Sequence, residues 1–272
     1  MNQEKIALFD RLAEQYLKSF SAAMAVEDFM EYNEILFSCH SCGIEGNTFT
    51  VDDTRTLKEN GLSMKMPQGK TLFEAFEMLD HFRAYEEMAR TVDEPMTEEY
   101  VKHLHFLLTE HTIGYRHKGA KPGEYTEYDM CAGDTIFGDH EKLIARVPEL
   151  LRSTEKALLD SRWHPIEVAA RFHGHFEWLH PFRDGNGRIG RLLVNKLLMR
   201  KGLPILIIPV EQRSSYLDCM KLFRTEAEPL VDFFFDVAVR RMESEMEQKR
   251  SADEDVMSGL LPSDETENQR AN

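Results

Sequence analysis

Apolar residues along most of this chain recur at the spacing of a helix face. Ile6, Leu8, Phe9, Leu12, Tyr16 and Phe20 form one such stripe, and Leu72, Phe73, Phe76, Leu79 and Phe82 form another. A third helix is predicted after Thr97, a good N-cap residue, with Glu98 and Glu99 at the positive end of the dipole and Val101, Leu104 and Leu108 facing inward. Further starts are read at Thr50, ahead of Val51-Asp52-Asp53, and at Pro165, within Trp163-His164-Pro165-Ile166-Glu167. Ala169 to Leu179 reads as a helix with Phe172, Phe176 and Leu179 on one side. A second begins at Arg188 and carries Leu192, Leu193, Leu197 and Leu198.

Two stretches break the rhythm. From Gly114 to Gly138, five further glycines and prolines (Gly119, Pro122, Gly123, Gly133 and the closing Gly138) alternate with Tyr115, Tyr125, Tyr128 and Ile136. That punctuation predicts a β-hairpin or extended flap. Leu206-Ile207-Ile208-Pro209-Val210 is a shorter extended candidate, compatible with a buried loop. From about Ser251 the chain is polar and acidic without apolar periodicity, which predicts a disordered or loosely attached tail. No internal repeat is present. The expected fold class is all-α with a small β-hairpin flap.

At 272 residues the chain suits one large domain, or one domain with an appendage, and needs no metal or disulfide staple. With 42% hydrophobic and 30% charged residues it is neither collagenous nor wholly disordered. No stretch approaches the roughly 18 to 20 apolar residues of a membrane span. The polar start, Met1-Asn2-Gln3-Glu4-Lys5, lacks the apolar core of a signal peptide, so a cytoplasmic location is expected. A formal charge of −15 repels nucleic acid and anionic lipid at long range, so neither is an expected partner. Cys39 and Cys42 form a C-x-x-C without a second close pair, so incidental thiols outweigh zinc or redox chemistry.

The chemistry is concentrated in His180-Pro181-Phe182-Arg183-Asp184-Gly185-Asn186-Gly187-Arg188-Ile189-Gly190-Arg191. Two glycines and an asparagine ahead of a helix let successive backbone N–H groups turn inward as an anion nest. The helix N-terminus adds partial positive charge, and Arg188 and Arg191 add two full ones. Such a site suits a polyphosphate. Asp184 is a hard oxygen ligand suited to a Mg²⁺ ion shared with phosphates, and His180 is the neutral-pH base of the loop. Each feature alone has a bland reading: Gly-Asn-Gly is a common turn, and a histidine before proline is commonly structural. The combination is what points to a site.

This run resembles the signature HPFx[D/E]GNGRxxR of Fic-domain proteins without a departure. The resemblance extends to His173 and Phe176, and more loosely to the Lys121-Pro122-Gly123-Glu124-Tyr125 run, Tyr216 and Phe233-Phe234, covering roughly Asp93 to Arg241. It implies the organisation 1–92 as an N-terminal helical region, 93–241 as a Fic core, and 242–272 as a helix end and acidic tail. It also implies transfer of AMP from ATP to a hydroxyl side chain of a target protein. His180 would then be the general base, Asp184 the Mg²⁺ ligand and Phe182 a buried anchor. Gly185, Asn186, Gly187, Arg188 and Arg191 would hold phosphates, and Tyr216 would contact the adenine. The kinase-like Doc branch has Lys where this chain has Gly187, so Gly187 favours AMP transfer.

Ser41-Cys42-Gly43-Ile44-Glu45-Gly46 matches the [S/T]xxxE[G/N] inhibitory helix of the same family, here on the N-terminal side of the core (41–46). Glu45 would pair with Arg191 and compete with nucleotide, since a sheltered carboxylate–guanidinium pair is strong. The alternative for this stretch is a helix ending at Gly46 with a solvated Glu45. The leading expectation is therefore an autoinhibited protein adenylyltransferase using ATP and Mg²⁺, its target presented as an added strand along the 114–138 flap. Two other readings stay open: removal of AMP, with Glu45 orienting a water, and a nucleotide-binding interaction module with vestigial activity. The oligomeric state is open between monomer and homodimer.

Overall fold

The computed structural model describes residues 3–132 and 135–260. In chain order it comprises α1 (Gln3–Ser21), α2 (Val26–Ile44), α3 (Val51–Asn60), α4 (Leu72–Arg90), α5 (Glu98–Thr109), the single turn α6 (Ile113–Arg116), β1 (Cys131–Ala132), β2 (Thr135–Ile136), α7 (Leu143–Leu159), α8 (Pro165–Leu179), α9 (Asn186–Met199), α10 (Arg213–Leu222) and α11 (Glu228–Leu260). The fold is all-α, as the periodicity predicts.

Local chemistry sets the helix starts. Thr50 Oγ1 accepts from Asp53 N while the Asp53 carboxylate accepts from Thr50 N, a reciprocal capping box. Thr71 and Glu74 repeat the device at α4, and Thr97 caps α5 through Tyr100 N. At α8, His164 caps and Pro165 takes the first helical position, where its missing N–H costs nothing.

Helix α9 lies at the centre, packed along α8, with Ile189, Leu192, Leu193 and Leu197 sealed from solvent. Each such side chain contributes about 1.5–3 kcal/mol of burial free energy. Around this pair pack α7 and α11 against α8, α4 and α5 against α9, and α1 against α11. A second, smaller cluster of Cys42, Phe49, Leu57, Ala75, Met78 and Phe82 joins α2, α3 and α4, and so holds the end of α2 beside α9. Val101, Leu104 and Leu108 are fully buried, as read from the sequence. The run Ile205–Ile208 is a buried irregular loop, its Leu206 backbone held at both N and O by the Asn195 side chain.

Three expectations change. On α4, Leu72 is exposed and Phe73, Phe76 and Leu79 are only half-buried, whereas Glu77, Asp80 and His81 point inward. The reason is that α4 is wedged between α2, α5 and α9, and its polar face meets Arg188, His111 and Ser38 there. At the other end α11 continues through the segment from Ser251 to Leu260, which is rich in helix formers and meets no glycine before Gly259. The rest of the expected tail, 261–272, lies outside the described residues. Between Gly114 and Gly138, β1 and β2 pair antiparallel through Cys131↔Ile136 and Ala132↔Thr135. That two-residue ladder is too short to draw the expected flap; Gly133 lies outside the described residues, and the remainder of the segment is mostly turn. Among the described residues no helix is long and apolar enough to cross a membrane.

Candidate active site

The loop joining α8 to α9 is fastened from three sides. Asn186 turns its side chain back, accepting from Phe182 N at 2.9 Å and donating to Phe182 O at 2.8 Å. Phe182 is fully buried and stacks on His105 of α5, ring centroids 3.7 Å apart. His105 Nε2 donates to Asp184 O at 2.9 Å, so its Nδ1 is the acceptor for Gly123 N. One histidine thereby ties the loop to the 114–138 segment, which also donates Thr126 N to Pro181 O.

His180 ends α8 in the left-handed conformation (φ 48°), alone among the described non-glycine residues in having positive φ. Its Nδ1 donates to Glu177 O at 3.3 Å, which leaves Nε2 as the free, basic nitrogen. Phe137 stacks on the ring at 3.9 Å. Burial pushes the imidazole down to about 4, so the side chain is neutral near pH 7.

Gly185, at φ 79°, precedes α9, whose first-turn N–H groups have no intrahelical acceptors. Asp184 Oδ1 accepts from Gly185 N at 2.6 Å and from Arg188 at 3.1 Å; among the described residues Oδ2 has Arg116 at 3.5 Å and His117 at 3.8 Å as its neighbours. Burial opposes ionisation of Asp184, but the Arg188 and Arg116 guanidiniums hold its pKa below the usual carboxylate range. Arg188 is buried and spans Asp184 and Glu77 of α4.

Arg191 is held by the end of α2. Its Nε donates to Ser41 Oγ at 3.1 Å, and its Nη2 donates to Ser41 O and Glu45 Oε1, each at 2.8 Å. Gly46 (φ 101°) terminates α2, and Asn47 N returns to Cys42 O, a glycine-closed helix end. Arg213 caps Ile44 O, and the Asn47 side chain donates to Glu77 and to Glu74 O. Burial opposes ionisation of Glu45, yet Arg191 and Arg188 keep its pKa below the usual value. A Cβ on Gly187 would collide with Glu45 Oε1 and stand 2.9 Å from Arg191 Nη1, so the Glu45–Arg191 pair would have to shift to admit any larger residue.

The sequence-read residues His180, Asp184, Gly185, Asn186, Gly187, Arg188, Arg191 and Glu45 thus lie around one helix N-terminus. The Asn186 side chain closes the loop, leaving its backbone N–H as the group available to an anion. Tyr216 needs correction. It is buried, its hydroxyl 2.6 Å from His173 Nε2 and its ring under Arg191, so it offers no face to a base. Cys39 and Cys42 are packing residues: Cys39 Sγ donates to Phe49 O, and burial pushes the Cys42 thiol up to about 12, against thiolate chemistry. Sequence reasoning missed Glu77, His105, Arg116, Phe137 and Glu177. Glu77 sits inside an apolar run, Phe76-Glu77-Met78, where a single acid was the available signal.

Residues 95–198 match the Fic/DOC family, and the chain carries a Fic domain. A protein adenylyltransferase Fic from Drosophila melanogaster is 33% identical over 210 residues, which is 75% of this chain and 40% of that protein. The chain therefore spans about 40% of the length of the curated relatives it matches. A Fic domain containing signaling protein from Bacteroides thetaiotaomicron shares the fold with a TM-score of 0.74 and 24% identity, over 87% of this chain and 94% of that one. Fic-1 from C. elegans does so with a TM-score of 0.71 and 23% identity, over 92% and 72%.

Proposed function

We propose that this chain is an autoinhibited protein adenylyltransferase, which transfers AMP from ATP to a hydroxyl of a target protein, or of itself, and releases pyrophosphate. The observation that carries the reading is a neutral His180 with Nε2 free, on the loop that leads into an arginine-lined helix N-terminus. The curated relatives' name supports the same chemistry. In the reaction the target hydroxyl attacks the α-phosphorus, its proton passes to His180 Nε2, and the bond to pyrophosphate breaks. The first-turn N–H groups of α9 and the two arginines hold the phosphates and take up charge on the leaving group.

Asp184 fits a Mg²⁺ ligand, because Oδ2 is a hard oxygen without a close partner while Oδ1 is engaged. Bound there, Mg²⁺ would supply charge neutralisation to the leaving pyrophosphate. The target docks along 114–138, where Tyr115, Tyr128 and Ile136 are exposed and Thr126 is tied to the loop. The N-terminal region, 1–92, acts as the inhibitor of the 93–241 core through the Glu45–Arg191 pair. Removal of AMP is a second reading, favoured by one observation: about a third of the Glu45 side chain (35%) is open to solvent, where it can orient a water.

Mass spectrometry of the Glu45→Gly protein incubated with ATP, Mg²⁺ and a lysate tests the proposal. An added AMP on the protein or a target is expected. A folded, ATP-binding variant that adds none overturns it. Incubation with an AMP-modified target separates the removal reading.

A further inference from the structure

Glu177 stands one turn before His180 on α8. Its Oε2 is 4.0 Å from His180 Nδ1, the same nitrogen that donates to Glu177 O. Its Oε1 is buried and has no hydrogen-bond partner among the described residues. Two charges face it, Glu45 from the end of α2 and Arg191 from α9, and the neutral Tyr216 hydroxyl of α10 is the further titratable group nearby. Arg191 is already committed to Ser41 and Glu45. Burial first, and Glu45 second, push the Glu177 carboxyl up to about 8.

One turn earlier on α8, His173 is also buried with an unpartnered nitrogen, Nδ1. Both side chains lie against Gly190: a Cβ there would be 2.7 Å from His173 Nδ1 and 3.3 Å from Glu177 Oε1. Through Tyr216, His173 reaches the underside of Arg191. One polar line along α8 therefore joins the inhibited arginine to the base. A buried carboxyl oxygen without a partner is costly.

We propose that Glu177 is the positioning residue of His180, fixing the Nδ1 side of the imidazole and stabilising the imidazolium formed when Nε2 takes up a proton. The second half of this rests on the adenylyltransferase reading. In that step the target O–H bond breaks, its proton goes to Nε2, the O–P bond forms and the bond to pyrophosphate breaks. Glu177 enters as the carboxylate, its own proton already released to solvent, and closes on Nδ1–H. Withdrawal of Glu45 removes one of the two causes that keep Glu177 protonated, so release of the inhibitor also readies the base. The other charges facing His180 are Glu45 and Asp184, with Phe137 stacked on the ring.

The test is NMR of the His180 ring in the ATP-free protein, titrated through the region around pH 8 where Glu177 ionises. The parent should show an inflection there, Glu177→Gln should lose it, and Glu177→Asp, with a shorter carboxylate, should displace it. In the Glu45→Gly background, Glu177→Gln should lower kcat for AMP transfer about tenfold with KM for ATP unchanged, as expected for loss of an orienting carboxylate. Should Glu177→Gln fail to fold, the displaced inflection of Glu177→Asp decides. His180 signals that titrate alike in the parent and the variants overturn the proposal. An inflection that follows Glu177 while no variant transfers AMP upholds the positioning and overturns the activity reading instead.

Discussion

Glu77 Oε1 lies 3.0 Å from Arg188 Nη1 and 2.8 Å from Arg116 Nη2, and neither Glu77 nor Arg188 has more than 3% of its side chain exposed. The same carboxylate accepts from Asn47, just beyond the end of α2. Glu77 thus holds Arg188 of α9, Arg116 of the 114–138 segment and the turn after α2 at one point. Both arginines of the 180–191 run are engaged, Arg191 by α2 and Arg188 by α4.

Glu77→Ala should therefore be severely destabilising. It strands a buried guanidinium with Asp184 as its remaining carboxylate, and removing one member of a buried pair costs about 3–5 kcal/mol. At roughly 2–4 °C per kcal/mol for a chain of this size, the melting temperature should fall by about 10 °C. Thermal unfolding followed by circular dichroism checks this. A variant that melts like the parent would show that Asp184 alone satisfies Arg188.

A second prediction concerns the protonation of His180. An unperturbed histidine titrates near ~6.5 and would be mostly charged at pH 6. Burial depresses His180 to about 4, and a lowered pKa means that the ring stays neutral until the pH falls toward that value. NMR of the ring in the ATP-free protein should show its main protonation step below about pH 5. A main midpoint near the unperturbed value would mean that the ring is better solvated than its packing against Phe137 implies.

Much of this was legible in the sequence, for identifiable reasons. The capping boxes and the apolar stripe of α9 are local features, so Thr50, Thr97 and Leu192 were read correctly from neighbours along the chain. That residues 180–191 gather at one helix N-terminus was legible because the run is contiguous. What failed depended on partners distant in sequence. Glu77 looks like a solvated acid until Arg188, 111 residues away, is placed against it. The half-exposed stripe of α4 misled for the same reason, since the polar residues Glu77, Asp80 and His81 are buried only because each finds a partner. Tyr216 was assigned to adenine from its position alone, and its pairing with His173 came only with the packing of α10 over α8.

The last prediction tests inhibition through the arginine rather than through the helix as a whole. Glu45→Gly removes the one carboxylate among the described residues that is bonded to Arg191, while Ser41 Oγ and O remain to orient the guanidinium. The variant should bind ATP more tightly and add AMP faster. A charge-assisted hydrogen bond contributes about 1.5–3 kcal/mol, but the partial exposure of Glu45 screens it, so a gain of about tenfold, equivalent to about 1.4 kcal/mol, is expected. Arg191→Ala in the Glu45→Gly background should reverse most of that gain, because the freed arginine is what the terminal phosphate then uses. Gly187→Ala separates displacement from release: its Cβ pushes Glu45 aside but also fills the approach to the first turn of α9, so ATP affinity should not rise. Calorimetric titration of ATP into the parent, these three variants and Arg191→Ala alone measures the affinities, and AMP incorporation followed by mass spectrometry measures the rates. If Glu45→Gly and Arg191→Ala acted independently, each with the same effect alone and combined, Arg191 would not be the target of the lock, and the end of α2 would act on the site by another contact.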